Sequence, residues 1–338
     1  MERVIIKDLH STEYEHPTDK VALETLRKIP LFPKVLELCT VPQNSITRLE
    51  LLGSNLKVTE RQMPSIYKIM REACEAMDMD EPLFYISSSP QLNAYTACPD
   101  KPIICVFSYL LDMLEDDELR FVIGHELAHI KSQHIIYQAL GTILAENLLS
   151  AVLSTVPGLS TFSQPAIYAL NYAYYEWYRA AELSCDRGGL LACQNFTASC
   201  KALMKLAGSS QRYVNELNLD EFIAQSRDFQ EDSSGGLGMI QKIILSNGRS
   251  HPWAVSRVHE LIKFNESGAY DDILARKTKR AELPEQTGDG ESTGSNAAAT
   301  ATAAASAAAS ATASAAKGAL SGLGKGLRKF GGDKDKND

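Results

Sequence analysis

The sequence predicts an α+β fold that is mostly α-helical and carries a small β-sheet. Three observations predict it. Apolar residues recur at helical spacing through most of the chain as far as Phe264. Three short runs rich in β-formers, Leu83–Ser88, Asn93–Cys98 and Pro102–Phe107, stand close together. One stretch, Glu118–His134, reads as a single amphipathic helix and contains His125-Glu126-Leu127-Ala128-His129.

Along residues 1–60 the helical pieces are short. Val21, Leu23, Leu26 and Ile29 form one stripe, stopped at Pro30; Val35, Leu36 and Leu38 form another. Ser45–Val58 holds Ile46, Leu49, Leu51, Leu52 and Leu56, interrupted by Gly53. His10 and His16 read as surface or capping residues. Pro64 suits the first turn of a helix reaching Asp78, with Ile66, Ile69, Met70, Ala73, Cys74 and Met77 on its core face. After the three strands, Tyr109–Leu114 is a short helix leading into Glu118–His134, for which Asp116 and Asp117 supply the N-cap and first-turn acids. Two apolar helices follow, Ile136–Thr155 and Pro165–Cys193, separated by Pro157-Gly158 and a Ser/Thr-rich stretch. The second carries Tyr172, Tyr174, Tyr175, Trp177 and Tyr178, an aromatic run expected to pack in the core. Helices over Thr197–Ala207, Leu219–Phe229 and Leu237–Leu245, and one opened by Pro252 and ending near Phe264, complete the ordered part.

Composition bounds what the chain does. With 338 residues and 44% hydrophobic content, it is long enough for one large core or two smaller ones. A formal net charge of −8, with no dense Lys/Arg block in the globular part, argues against nucleic acid as a partner. The 7 cysteines are odd in number and form no CxxC pair, so they read as free thiols of a reducing, cytoplasmic compartment rather than a Cys-rich zinc site. The N-terminal stretch is too short and too charged for a signal peptide. The best membrane candidate, Ala139–Val156, carries Glu146 and Asn147 at its centre and is expected to pack on protein, with a membrane-inserted hairpin as the alternative. From Lys277 the composition changes, and Ala297–Ala316 contains only Ala, Thr and Ser, which bury too little area to hold a fold. The expected organisation is a helical region over 1–60, a catalytic domain over 61–275 and a disordered tail over 276–338. Lys317–Phe330 has a weak basic amphipathic pattern, so weak membrane-surface association stands beside a plain soluble tail.

The chemistry sits in His125–His129. Two histidines at i and i+4 share a helix face, and both imidazoles can reach one metal ion. Glu126, next to the first, is placed to take a proton from a water at that ion. The alternative is an ordinary amphipathic helix with two buried histidines. A catalytic zinc takes three protein ligands and keeps a position for water. Glu182 is the best third ligand, because an antiparallel return of the following helices brings it back to the metal helix. Asp186, one turn further, is placed to accept the free ring N–H of a ligand histidine. His134 is a weaker ligand candidate: five residues past His129, it falls on another side of a continuous helix and is expected at the surface.

These motifs resemble the gluzincin metallopeptidases of the HtpX-like and CAAX-prenyl-endopeptidase family. The resemblance rests on His125–His129, on Glu182-Leu183-Ser184-Cys185-Asp186-Arg187, on Asn93-Ala94-Tyr95 before an apolar strand, and on Ser250-His251-Pro252 followed by Arg257. It spans roughly residues 60–265, in matching order. It implies a gluzincin-type zincin domain with a small sheet edge beside the HExxH helix, and a zinc-dependent endopeptidase acting on protein or peptide substrates. One Zn2+ per chain would be held by His125, His129 and Glu182, with Glu126 as general base. Asn93, Ala94 and Tyr95 would form the strand that pairs with the substrate backbone, His251 would act on the transition state, and Arg257 would support the site. Cys185 stands where the family's motif commonly has Ala, and no segment here is a convincing membrane span, unlike many relatives. Two other readings remain: a membrane-peripheral quality-control protease, and a non-catalytic zinc-stabilised binding scaffold, against which the intact Glu126 argues.

Overall fold

The computed structural model describes residues 3–28, 47–137, 164–234 and 253–276, together with Phe32 and Gly141. Its sheet runs in the order β1-β2-β4-β3, from β1 (Leu56–Lys57), β2 (Leu83–Ser87), β3 (Ala94–Ala97) and β4 (Ile103–Phe107). Strand β4 is parallel to β2 and antiparallel to β3. With neighbours on both edges and both faces covered, it reads as an unbroken apolar run, and Ile103, Ile104, Cys105 and Val106 are all buried. Strands β1 and β3 are the two edges. The two exposed residues of β1 are too few to show alternation, and the stretch around them reads instead as a helical stripe. Among the described residues of that stripe, 47–54 are helical, with Leu51 buried and Leu49 and Leu52 exposed.

The helices are α1 (Pro17–Arg27), α2 (Pro64–Ala76), α3 (Ser108–Met113), α4 (Asp116–Lys131), α5 (Gln164–Cys193), α6 (Phe196–Gly208), α7 (Leu219–Ser234), α8 (Ala254–Glu266) and α9 (Ala269–Leu274). His10 and His16 are caps: the His10 ring accepts from the Thr12 amide, and the His16 ring accepts from Thr18 at the start of α1. The stripe expected on α1 is only partly buried, since Val21 is 63% exposed while Leu26 is fully covered. The N-terminal residues join the main core through Ile6, Leu9 and Tyr14, and the Ile6 amide bonds the carbonyl of Ala76 at the end of α2.

Helix α4 begins earlier than its acidic residues suggest. Glu115 is the N-cap, in a reciprocal capping box with Glu118, and Asp116 and Asp117 lie inside the first turn. It also ends earlier, at Lys131, because Gln133 turns the backbone into the left-handed region at φ 58°.

Helices α4 and α5 pack backbone to backbone. Gly124 lies against Ala192 and Gly189, and Gly188 lies against Ala128. A methyl group at Gly189 would stand 2.7 Å from the Phe121 carbonyl oxygen. Glycine inside a helix costs about 1 kcal/mol relative to alanine. Here its smallness lets short side chains on the two helices meet.

Several expected features lie outside the described residues: Ala139–Val156 apart from Gly141, Leu237–Leu245, His251, Cys39 and the tail from Lys277 onward. Among the described residues, no helix is long and apolar enough to cross a membrane. The six cysteines described are free and buried.

Candidate metal centre

On α4, His125 and His129 stand one turn apart; on α5, so do Glu182 and Asp186. Because the helices run antiparallel, the pairs meet crosswise. His125 Nδ1 is 3.0 Å from Asp186 Oδ1, and His129 Nε2 is 3.3 Å from Glu182 Oε1. His125 Nε2 lies 3.2 Å from His129 Nε2 and 3.6 Å from Glu182 Oε2. Ligand atoms at the corners of a tetrahedron with metal bonds of about 2.0–2.1 Å stand roughly 3.3–3.4 Å apart. The two imidazoles and the Glu182 carboxylate therefore fit one small tetrahedral metal ion, and the nitrogen and oxygen donor set suits zinc. All three residues are buried. Burial lowers the pKa of His129 to about 4, outweighing the hydrogen bond to Glu182 that raises it. The ring is neutral at pH 7, as a metal ligand must be.

With Nε2 of His125 turned to the metal position, its Nδ1–H donates to Asp186. Arg257 on α8 grips the same carboxylate with Nε at 2.8 Å and Nη2 at 2.6 Å. Its Nη1 lies 3.7 Å from Glu182 Oε2, so one buried guanidinium faces both carboxylates. Burial alone would raise the Asp186 pKa; the charge of Arg257 and the hydrogen bonds from Arg257 and His125 outweigh it and hold the carboxyl below its usual range. Arg257 likewise stays charged: burial lowers its pKa, and Asp186 more than restores it.

Cys185 is a further candidate ligand at the site. Its sulfur and ring nitrogens of His125 and His129 lie within 4.8 Å of one another. The thiol also stands 3.5 Å from His134 Nδ1, and burial, then the charge of Glu182, pushes its pKa well up. Glu126, the expected base, is buried on α4 beside His125 at 6% exposure. Tyr178 stacks on the His129 ring at 6.4 Å between centroids, and burial keeps its phenol protonated. The other aromatic residues expected in the core are divided: Tyr174, Tyr175 and Trp177 are buried, whereas Tyr172 is half outside.

His134 is not at the surface. It is 2% exposed, with Nδ1 at 3.2 Å from His129 Nδ1 and Nε2 at 3.2 Å from Asp19 Oδ2. The expectation assumed a helix continuing to residue 134. The left-handed turn at Gln133 ends the helix and swings His134 back, with its amide bonded to the carbonyl of His129 at 2.9 Å. Sequence reading missed Asp19, Tyr178 and this role of His134. The one available signal was His134 itself, a third histidine close behind the pair; Asp19 looks like any acid in a first helical turn.

Ala94 and Tyr95 open β3, with Asn93 immediately before it, and the strand packs beside α4 at the sheet edge. The Phe107 amide bonds the Asn93 carbonyl, and Tyr95 is opposite Cys105. By antiparallel alternation the backbone groups of Asn93, Tyr95 and Ala97 face β4, and those of Ala94 and Thr96 point away from it.

A zinc-protease-like helix pair beside a short edge strand defines a class, and the comparisons with known proteins agree. Residues 60–264 match peptidase family M48, and the chain belongs to that family. It is 32% identical over 283 residues to the plastoglobule-localized metallopeptidase 48, chloroplastic, of Arabidopsis thaliana, covering 82% of this chain and 79% of that protein. It is 32% identical over 116 residues to a protease HtpX homolog of Thermodesulfovibrio yellowstonii, covering 33% of this chain and 37% of the relative. A Streptomyces coelicolor protease HtpX homolog is 28% identical over 190 residues, 49% of this chain and 61% of that protein. The chain is thus a metalloprotease of an HtpX-like family, with the α+β, mostly helical fold expected from its sequence.

Proposed function

We propose that this metalloprotease is a zinc-dependent endopeptidase that cleaves extended or unfolded protein segments. The observation that carries the reading is the convergence of His125 Nε2, His129 Nε2 and the Glu182 carboxylate at tetrahedral spacing, with Glu126 adjacent. Glu182 is preferred over Cys185 as third ligand because its two oxygens face the two ring nitrogens, whereas the Cys185 thiol is also directed at His134. Bound there, zinc supplies Lewis acidity that polarises the scissile carbonyl and acidifies the attacking water.

The chain's own residues do the rest. Ala94 and Thr96 offer outward backbone groups to an extended substrate, which gives affinity with little demand on sequence. Glu126 takes the proton of the attacking water and delivers it to the leaving nitrogen. Asp186, clamped by Arg257, orients His125. His251 is proposed, on the family resemblance, to donate to the developing oxyanion. The cytoplasm is the proposed location, with weak membrane-surface contact as the alternative; the Arabidopsis relative is named as chloroplastic.

The test is metal analysis combined with cleavage of an unfolded protein. Glu126→Gln is expected to hold one zinc per chain and to lose about 10²–10⁴-fold in kcat. Cleavage at the wild-type rate would remove Glu126 from the mechanism. Glu182→Ala should lose the zinc and Cys185→Ala should keep it; the reverse pattern would make the thiol the third ligand.

A further inference from the structure

Beyond the expected site lies a second buried chain of side chains that ends on the other ligand histidine. Nδ1 of His129 stands 3.2 Å from Nδ1 of His134, whose Nε2 stands 3.2 Å from Asp19 Oδ2. Asp19 also receives the Trp177 indole N–H at 3.0 Å and the Ser184 hydroxyl at 2.6 Å. Ser184 in turn accepts the His16 amide at 2.9 Å. Asp19, His134, Trp177 and Ser184 are all buried.

Donor and acceptor counting gives this chain one direction. An ionised carboxylate only accepts, so Trp177, Ser184 and His134 must each donate to Asp19. His134 then carries its proton on Nε2 and offers the Nδ1 lone pair to His129. His129 donates from Nδ1, which leaves its Nε2 lone pair facing His125 Nε2 and Glu182, at the metal position. The opposite tautomer of His134 would place a bare nitrogen against Asp19, and beside a His129 protonated on Nδ1 it would also set two N–H groups against each other at 3.2 Å.

We propose that Asp19 and His134 form a positioning relay that locks His129 in its metal-binding tautomer. The relay rests on the zinc reading above. It starts in α1, outside the residues 60–264 that match the family, and so makes the N-terminal helix part of the metal centre.

The full-length chain, loaded with zinc and labelled with ¹⁵N-histidine, tests this by long-range ¹H–¹⁵N correlation. His134 should appear as the Nε2–H tautomer and His129 with its proton on Nδ1; His134 protonated on Nδ1 would overturn the relay. Zinc affinity, measured by competition with a chromogenic chelator, provides a second readout. Asp19→Asn and His134→Phe should weaken zinc binding by roughly 10–100-fold, as loss of a ligand's supporting partner does. His134→Gln, whose amide can both accept and donate, should recover part of that loss. Wild-type affinity in folded Asp19→Asn and His134→Phe would overturn the relay and leave the zinc reading standing. If neither variant folds, the tautomer measurement on the wild-type chain decides. A wild-type chain that takes up no zinc removes the zinc reading, and the relay with it.

Discussion

On the His125 side of the metal centre, the ring N–H meets the Asp186 carboxylate at 3.0 Å, and the Arg257 fork clamps that carboxylate from behind. On the His129 side the ring meets another imidazole, His134, and the carboxylate, Asp19, stands one residue further out among the neutral donors Trp177 and Ser184. One candidate ligand is thus supported by a buried ion pair, the other by a chain of hydrogen bonds around a single buried anion. The ion pair lies within residues 60–264, whereas the chain begins on the N-terminal helix. The difference teaches where each side is fragile. Removing a partner from an ion pair strands a charge in the interior, while breaking a hydrogen-bond chain loses alignment first.

The largest expected effect follows from the charged side. Arg257→Leu leaves Asp186 and Glu182 buried without their cation, which should destabilise the fold by about 3–5 kcal/mol. Urea unfolding of the metal-free protein measures it. A loss below about 1 kcal/mol would show that the two sides do not differ in this way.

Both sides share the α4–α5 seam, so a change there should act on both. Gly189→Ala puts a methyl group 2.7 Å from the Phe121 carbonyl oxygen. Overpacking of this kind costs about 1–3 kcal/mol, and the shifted helix should weaken zinc binding as well. Gly53→Ala is the control: its added methyl meets nothing within 4 Å, and zinc binding should not change. Equal behaviour of the two variants would mean that the seam does not set the ligand spacing.

The smallest effect concerns the end of the N-terminal side. A hydrogen bond from His16, which caps α1, lowers the Glu260 pKa from 4.5 to about 2, with further help from Lys263. A carboxyl depressed on folding stabilises the protein above its unfolded pKa, and that contribution is lost as pH falls through the window from 4.5 towards about 2. The stability difference between wild type and Glu260→Gln should therefore be constant above that window and shrink as pH drops into it. A difference that grew on acidification would reverse the assignment.

Much of this was legible in the chain. The run Pro102–Phe107 was readable as a strand, and Ile103-Ile104-Cys105-Val106 is apolar at every position because both of its faces are covered. The i, i+4 spacing pointed to a candidate metal-binding face of α4, and an antiparallel return of the following helices pointed to Glu182, which the structure brings to the same place. Other features were hidden by their size or by a single dihedral angle. Strand β1 has two residues and no period to detect. The left-handed turn at Gln133 decides whether His134 faces solvent or His129, and glutamine carries no mark of that conformation.

Local chemistry, then, was determined by the sequence alone: which residues can bind a metal, which glutamate can take a proton, and which helices carry them, because helical spacing and side-chain type are short-range properties. Asp186 and Arg257 were expected near the site, but which groups they grip, and the whole Asp19–His134 support, were decided only in three dimensions. Asp19 lies 115 positions before His134 and Arg257 lies 71 after Asp186, so their meeting depends on how α1 and α8 pack against α5. An aspartate in a first helical turn and an arginine on a helix are ordinary surface residues until tertiary packing removes the water around them. Burial then forces each to find the partner that the fold supplies.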